Sequence, residues 1–130
     1  MQVSKDLVAA SAAPIVLGIL ANGENYGYAI LTRIAEVSDQ QFEWSEGLLY
    51  PLLHRLERQG YVTAHWGQAP SGRRRKYYRI TPDGRDQLAD QRRQWEAVNS
   101  SLGRLWAGLA EAVTLPPPTI TVGSTKGVPA

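Results

Sequence analysis

A mainly helical domain with one small β-hairpin and one long terminal helix is predicted by three observations along the 130 residues. Residues 45–60 read as a helix in which Leu48, Leu49, Leu52, Leu53 and Leu56 fall within about 140° of one another at 100° per residue. Two strand-like runs follow, 61–67 and 74–80, joined by Gln68-Ala69-Pro70-Ser71-Gly72-Arg73, which has turn composition. Beyond them Leu88, Trp95, Leu102 and Leu109 recur every seven residues, which on a helix describes a seam against another helix. Helices, then a basic hairpin, then a long seamed helix is the order of a winged helix-turn-helix domain with a long C-terminal dimerisation helix.

The elements follow in order. Residues 1–26 hold one Ala-rich apolar helix, which Pro14 either kinks or divides by opening a second piece. Asn22-Gly23-Glu24-Asn25 ends it in a turn. A second helix over about 27–38 sets Ile30, Leu31, Ile34 and Val37 on its inner face. Phe42-Glu43-Trp44 has room for no more than a one-rung strand. The third helix starts after Ser45 as N-cap and stops at Gly60. Opposite its leucine arc lie Gly47, Tyr50, Pro51, His54 and Arg58, with Arg55 at the edge. That face is low in profile at its start and positive at its end, as in a helix laid against a polyanion.

In the first strand run Val62, Ala64 and Trp66 alternate with Thr63 and His65, and in the second Tyr78 and Ile80 alternate with Tyr77 and Arg79. Thr81-Pro82-Asp83 is a helix start, with a capping hydroxyl, proline at the first position and a carboxylate at the positive end of the dipole. The helix it opens is expected to run to about residue 112, with Val98 and Leu105 forming a second seven-spaced row beside the first. The residues of that seam, Leu88, Trp95, Val98, Leu102, Leu105 and Leu109, are expected to meet a second subunit as well as the first helix. From residue 113 the Pro-, Thr- and Gly-rich composition cannot build a core, and a flexible tail is expected. The expected boundaries are 1–81 for the winged domain, 82–112 for the dimerisation helix and 113–130 for the tail.

Charge is unevenly spread. Residues 55–79 hold seven basic side chains and one acidic, a net +6, which leaves −4 for the rest of a chain of net charge +2. Such asymmetry suits a nucleic-acid contact surface. The chain has no cysteine, so disulfides and thiolate metal sites are excluded, and two histidines alone do not make a structural zinc site. No cofactor is expected. Ser/His/Asp arrangements, phosphate-binding glycine loops and metal-ligand clusters are missing from the sequence, which argues against an enzyme. The apolar run at 14–21 falls far short of the roughly 20 residues of a membrane span, and the expected location is cytoplasmic.

Several stretches resemble the PadR family of bacterial transcriptional regulators, in the short subfamily with one C-terminal dimerisation helix. They are Asn25-Tyr26-Gly27-Tyr28, Gly47-Leu48-Leu49-Tyr50-Pro51 with Arg55-Leu56-Glu57 and Gly60, and Gly72-Arg73-Arg74-Arg75-Lys76-Tyr77-Tyr78-Arg79-Ile80-Thr81 with Gly84. Leu48 departs from the family pattern, which usually has a small hydroxyl residue there. The resemblance implies a dimeric DNA-binding repressor, often released by a small aromatic ligand or a stress signal, and two-fold symmetry then calls for an inverted-repeat site in double-stranded DNA. By that resemblance Tyr26, Tyr28 and Tyr50 meet phosphates, and Arg73, Arg74, Arg75 and Lys76 track the backbone or enter the minor groove. Ser45, Gly47, His54, Arg55, Arg58, Gly72 and Tyr77 complete the expected DNA-facing set. Trp95 matches a tryptophan that stacks planar drugs between subunits, beside Leu7, Ala10 and Pro14 of the first helix, with Glu96 and Asn99 as a polar edge.

Two residues keep alternative readings: Trp95 serves as packed core or as a ligand platform, and His54 reaches DNA or is idle in solvent. The rival for the whole domain is a winged-helix protein–protein module without specific DNA binding. An apolar exposed wing would mark that rival, whereas this wing is the most basic part of the chain.

Overall fold

The computed structural model describes residues 1–114, with side chains as far as Leu109. The elements run α1 (Lys5–Leu20), β1 (Asn25–Tyr26), α2 (Gly27–Val37), α3 (Glu46–Arg58), β2 (Val62–Gln68), β3 (Arg74–Ile80) and α4 (Pro82–Thr114). Two compact units divide the chain, one over residues 1–92 and one from Arg93 onward.

In the first unit the three short helices and the root of the hairpin close around one apolar core. Val16, Leu17 and Leu20 enter it from α1, Ile30 and Ile34 from α2, and Leu49, Leu52, Leu53 and Leu56 from α3. Val62, Tyr78 and Ile80 add the sheet's inner face. Each of these large side chains contributes about 1.5–3 kcal/mol by leaving water, which is why the four-residue spacing along α3 fixes which side of it faces out. Leu48, expected inside the leucine arc, lies at the arc's margin and is 36% exposed.

Pro14 does not divide α1, which is continuous from Lys5 to Leu20. The amide proton it lacks would have bonded the carbonyl of Ala10, and Ala10 is exposed, so solvent can serve that oxygen. Phe42 and Trp44 form no strand, packing instead as irregular chain against the core. The third strand comes from elsewhere. Asn25, expected to end a turn, and Tyr26 after it pair antiparallel with Tyr78 and Tyr77, giving a sheet of order β1-β3-β2.

The hairpin register places Val62, Ala64, Trp66 and Gln68 opposite Ile80, Tyr78, Lys76 and Arg74. Alternation holds along the whole strand, but the core does not reach as far. Val62 is buried, Ala64 half-buried, and Trp66, on the same face by alternation, is 59% exposed because the hairpin projects past the helices that cover its root. The turn closes through Ala69 N–H to Arg73 O and Gly72 N–H to Ala69 O, both 2.8 Å. Gly72 has φ +87°, a left-handed conformation that glycine takes without steric cost.

One residue, Thr81, joins β3 to α4. Its N–H donates to Tyr61 O at 3.0 Å and its hydroxyl to Gly60 O at 2.7 Å, while the same oxygen accepts from Gly84 N–H at 2.9 Å. The capping hydroxyl expected there is thus in place, and it also ties the helix start to the root of β2.

In the second unit α4 continues to Thr114, slightly beyond the expected stop; residues 115–130 of the expected tail lie outside the described residues. Trp95 and Leu102 are half-buried, while Val98, Leu105, Trp106 and Leu109 are exposed, Leu105 at 69%. Among the described residues, no helix is long and apolar enough to cross a membrane.

Candidate nucleic-acid interface

The outward face of α3 and the hairpin share one open groove of about 750 Å³. Its floor is aromatic: Tyr26 from β1, Tyr28 from the first turn of α2, Tyr50 from α3 and Trp66 from β2. Arg73, Arg74, Arg75 and Lys76 form the wing side, and His54 stands on the α3 side. Eight of the residues expected to face DNA from sequence therefore line a single concave surface.

Local sequence explains the shape. Gly27 is buried, and a Cβ there would overlap the Tyr50 hydroxyl, with the phenol ring carbon behind it only 2.6 Å away. The missing side chain lets α3 lay Tyr50 flat against the start of α2, so Tyr50 is half-buried rather than projecting. Tyr28 projects instead, 73% exposed. At the start of α3 the Ser45 carbonyl accepts from Leu48 and Leu49 N–H at 3.1 and 3.0 Å, while its hydroxyl makes no capping bond. Ser45 and Gly47 are exposed there, and a Cβ on Gly47 would meet nothing closer than Ser45 Oγ at 3.6 Å. Arg55 and Arg58 are exposed in the last turn, outside the groove's lining.

Arg74, Arg75 and Lys76 alternate between the two faces of the sheet, and each of the three rests over a ring. The Arg74 guanidinium lies 4.6 Å from the Trp66 ring centroid, Arg75 lies 4.2 Å from Tyr26, and the Lys76 ammonium lies 5.7 Å from Tyr78. At exposed sites such contacts are worth about 0.5–1 kcal/mol. They give neighbouring like charges fixed and separate resting places. Tyr77, expected to face DNA, sits on the outer sheet face, edge-on to Tyr26 at 5.7 Å and stacked on His65 at 5.8 Å.

That outer face also carries an ion cluster that the sequence did not suggest. The Glu24 carboxylate, in the turn after α1, accepts from Arg79 at 2.7 and 3.2 Å and lies 3.0 Å from His65 Nε2. The Arg79 hydrogen bonds, then the His65 contact, hold the Glu24 carboxyl below its ordinary value. Burial, with lesser repulsion from Tyr50 and Glu57, pushes the Tyr78 hydroxyl above its ordinary value. Glu46 is a second unforeseen feature: it stands in the groove as an acid among cations, at the helix end where a carboxylate is favoured by the dipole. No group of three or more His, Cys, Asp or Glu able to hold a metal ion occurs among the described residues. Of the residues expected to stack an aromatic ligand, Leu7, Ala10, Glu96 and Asn99 are exposed and Pro14 and Trp95 half-buried.

A helical core of three elements, a two-stranded wing and a short third strand beside it define a winged helix-turn-helix protein. The family model described as the transcriptional regulator PadR-like family matches residues 16–90, and the chain belongs to that family. An uncharacterised protein of Lysinibacillus sphaericus is 30% identical over 107 residues, 82% of this chain and 98% of its own. The transcriptional regulator Rv3488 of Mycobacterium tuberculosis is 41% identical over 83 residues, 64% of this chain and 74% of its own. A solved PadR-like transcriptional regulator from Bacillus cereus superposes with a TM-score of 0.72 at 27% identity, covering 78% of this chain and 97% of that one.

Proposed function

We propose that this transcriptional regulator is a dimeric, sequence-specific DNA-binding repressor. The observation that carries the reading is the shared groove, in which the outward face of α3 and four consecutive wing cations border one surface. In this reading the first turns of α3 enter the major groove, where His54 and the edge of Tyr50 meet bases. Tyr26, Tyr28 and the wing meet phosphates. Residues 1–81 then form the DNA-binding domain and 82–112 the dimerisation helix, and two-fold symmetry calls for an inverted repeat with half-sites about one helical turn, or a multiple, apart. The protein–protein alternative finds little support in the wing, whose exposed indole lies under Arg74.

Release by a planar aromatic compound is the regulatory half of the proposal. It is supported by the family resemblance and by the position of Trp95 on the seven-residue seam, where two copies would face each other across the dimer axis.

Titration of an inverted-repeat DNA selected from a random pool, repeated between 50 and 200 mM salt, tests the DNA reading. Neutralising Arg73, Arg74 and Arg75 together should weaken binding to all sequences alike and reduce the salt slope by up to about 2.7, since each phosphate contact accounts for about 0.9. A triple variant that binds with the slope of the unaltered protein would overturn it.

A further inference from the structure

Trp66 has no place in the core that strand alternation gives it. It is 59% exposed, it lines the groove, and the Arg74 guanidinium covers its ring at 4.6 Å. Arg74 itself is exposed and starts β3, at the mouth of the hairpin turn, with Gln68 opposite. An arginine at such a site keeps its rotamer freedom unless something holds it. Its neighbours Arg73, Arg75 and Lys76 all carry the same sign, so charge among them gives the side chain no fixed resting place. Among the described ring–cation contacts, the indole face is what holds Arg74 on the groove side of the sheet.

We propose that Trp66 is a positioning residue for nucleic-acid binding, acting through Arg74: the indole holds the guanidinium where a backbone phosphate meets it. The inference rests on the DNA-binding reading above and adds a residue to it. Because Trp66 carries no charge, it can alter the dependence of binding on salt only by altering how a cation meets phosphate. A tryptophan that merely packed on a sugar or a base would change affinity and leave the slope alone. That difference separates positioning from direct contact.

The experiment titrates the selected DNA at several salt concentrations with the unaltered chain and with Trp66→Ala, Trp66→Phe, Arg74→Ala and the double variant Trp66→Ala/Arg74→Ala. Thermal melts show that each is folded. Trp66→Ala should bind roughly two- to fivefold more weakly, with a slope lowered toward that of Arg74→Ala. Trp66→Phe, which keeps a ring face, should recover most of both. In the Arg74→Ala background, loss of Trp66 should cost nothing further. The proposal is overturned if Trp66→Ala binds as the unaltered chain does, if it weakens binding with an unchanged slope, or if the effects of the two single changes multiply in the double variant. Should the unaltered chain bind no DNA at any salt, the DNA-binding reading fails and takes this one with it. That outcome is told apart from the others by the first titration alone.

Discussion

Glu24 shows how one side chain can fasten two parts of the domain that no sequence pattern connects. Its carboxylate bridges the turn after α1 to His65 on β2 and Arg79 on β3. The folded value of this carboxyl is depressed, so its stabilising effect is present above the ordinary carboxylate value of 4.5 and is lost as pH falls through the lower folded value. Melting temperature should therefore fall on acidification from pH 5 to pH 3 more steeply in the unaltered chain than in Glu24→Gln, a comparison that circular dichroism melts make directly. Identical slopes would show that the bridge contributes nothing. Residue chemistry of this kind was poorly legible in the sequence. Glu24 lies in a stretch that signals only a turn, and its partners are far along the chain. The exposure of Trp66 is hidden from the sequence for a related reason: alternation assigns a strand residue to a face without telling how far along that face the core extends.

At the scale of elements the sequence was a better guide wherever a pattern repeats. The leucine arc of α3 recurs over about two and a half turns, so its buried side could be read despite Pro51 and Tyr50. The two wing strands were legible from alternation, and the start of α4 from its cap. β1 was not, because two residues carry no periodicity and the strand exists only through its pairing with Tyr77 and Tyr78. The joint between wing and α4 is also the place where an added methyl would be least tolerated. A Cβ on Gly84 would overlap the Tyr61 carbonyl, a backbone atom that cannot swing aside, and would lie 2.7 Å from Ile80. Gly84→Ala should destabilise the fold by about 1–3 kcal/mol through overpacking. Gly18→Ala, inside α1 with open space around it, should instead stabilise by about 0.5–1 kcal/mol from helix propensity. Urea denaturation of the two variants checks both signs; equal effects would mean that the joint is slack.

For the whole molecule the open question is assembly. The part of α4 beyond Arg92 exposes Val98, Leu105, Trp106 and Leu109, more apolar surface than a solvated helix needs to carry. If a second copy covers it, sedimentation equilibrium at micromolar concentration should return twice the chain mass of 14.3 kDa. A planar dye should then quench tryptophan fluorescence in a manner lost in Trp95→Ala. Monomer alone would remove the basis for an inverted-repeat site. Dimerisation could be suspected from the seven-residue repeat, but the repeat says nothing about which parts of the seam a chain covers by itself, and Trp95 and Leu102 are already half-buried.

Thr81 stands alone between the last residue of β3 and the first of α4, with hydrogen bonds on both its nitrogen and its hydroxyl. A coupling one residue long, bonded on two sides, has no play in it. Torque applied to the first turns of α4 cannot be absorbed by a loop and passes into the root of the hairpin. Arg74 lies six residues up that strand from Ile80, so the hairpin acts as a lever arm, and a small angular change at its root becomes a larger displacement of the charges near its tip.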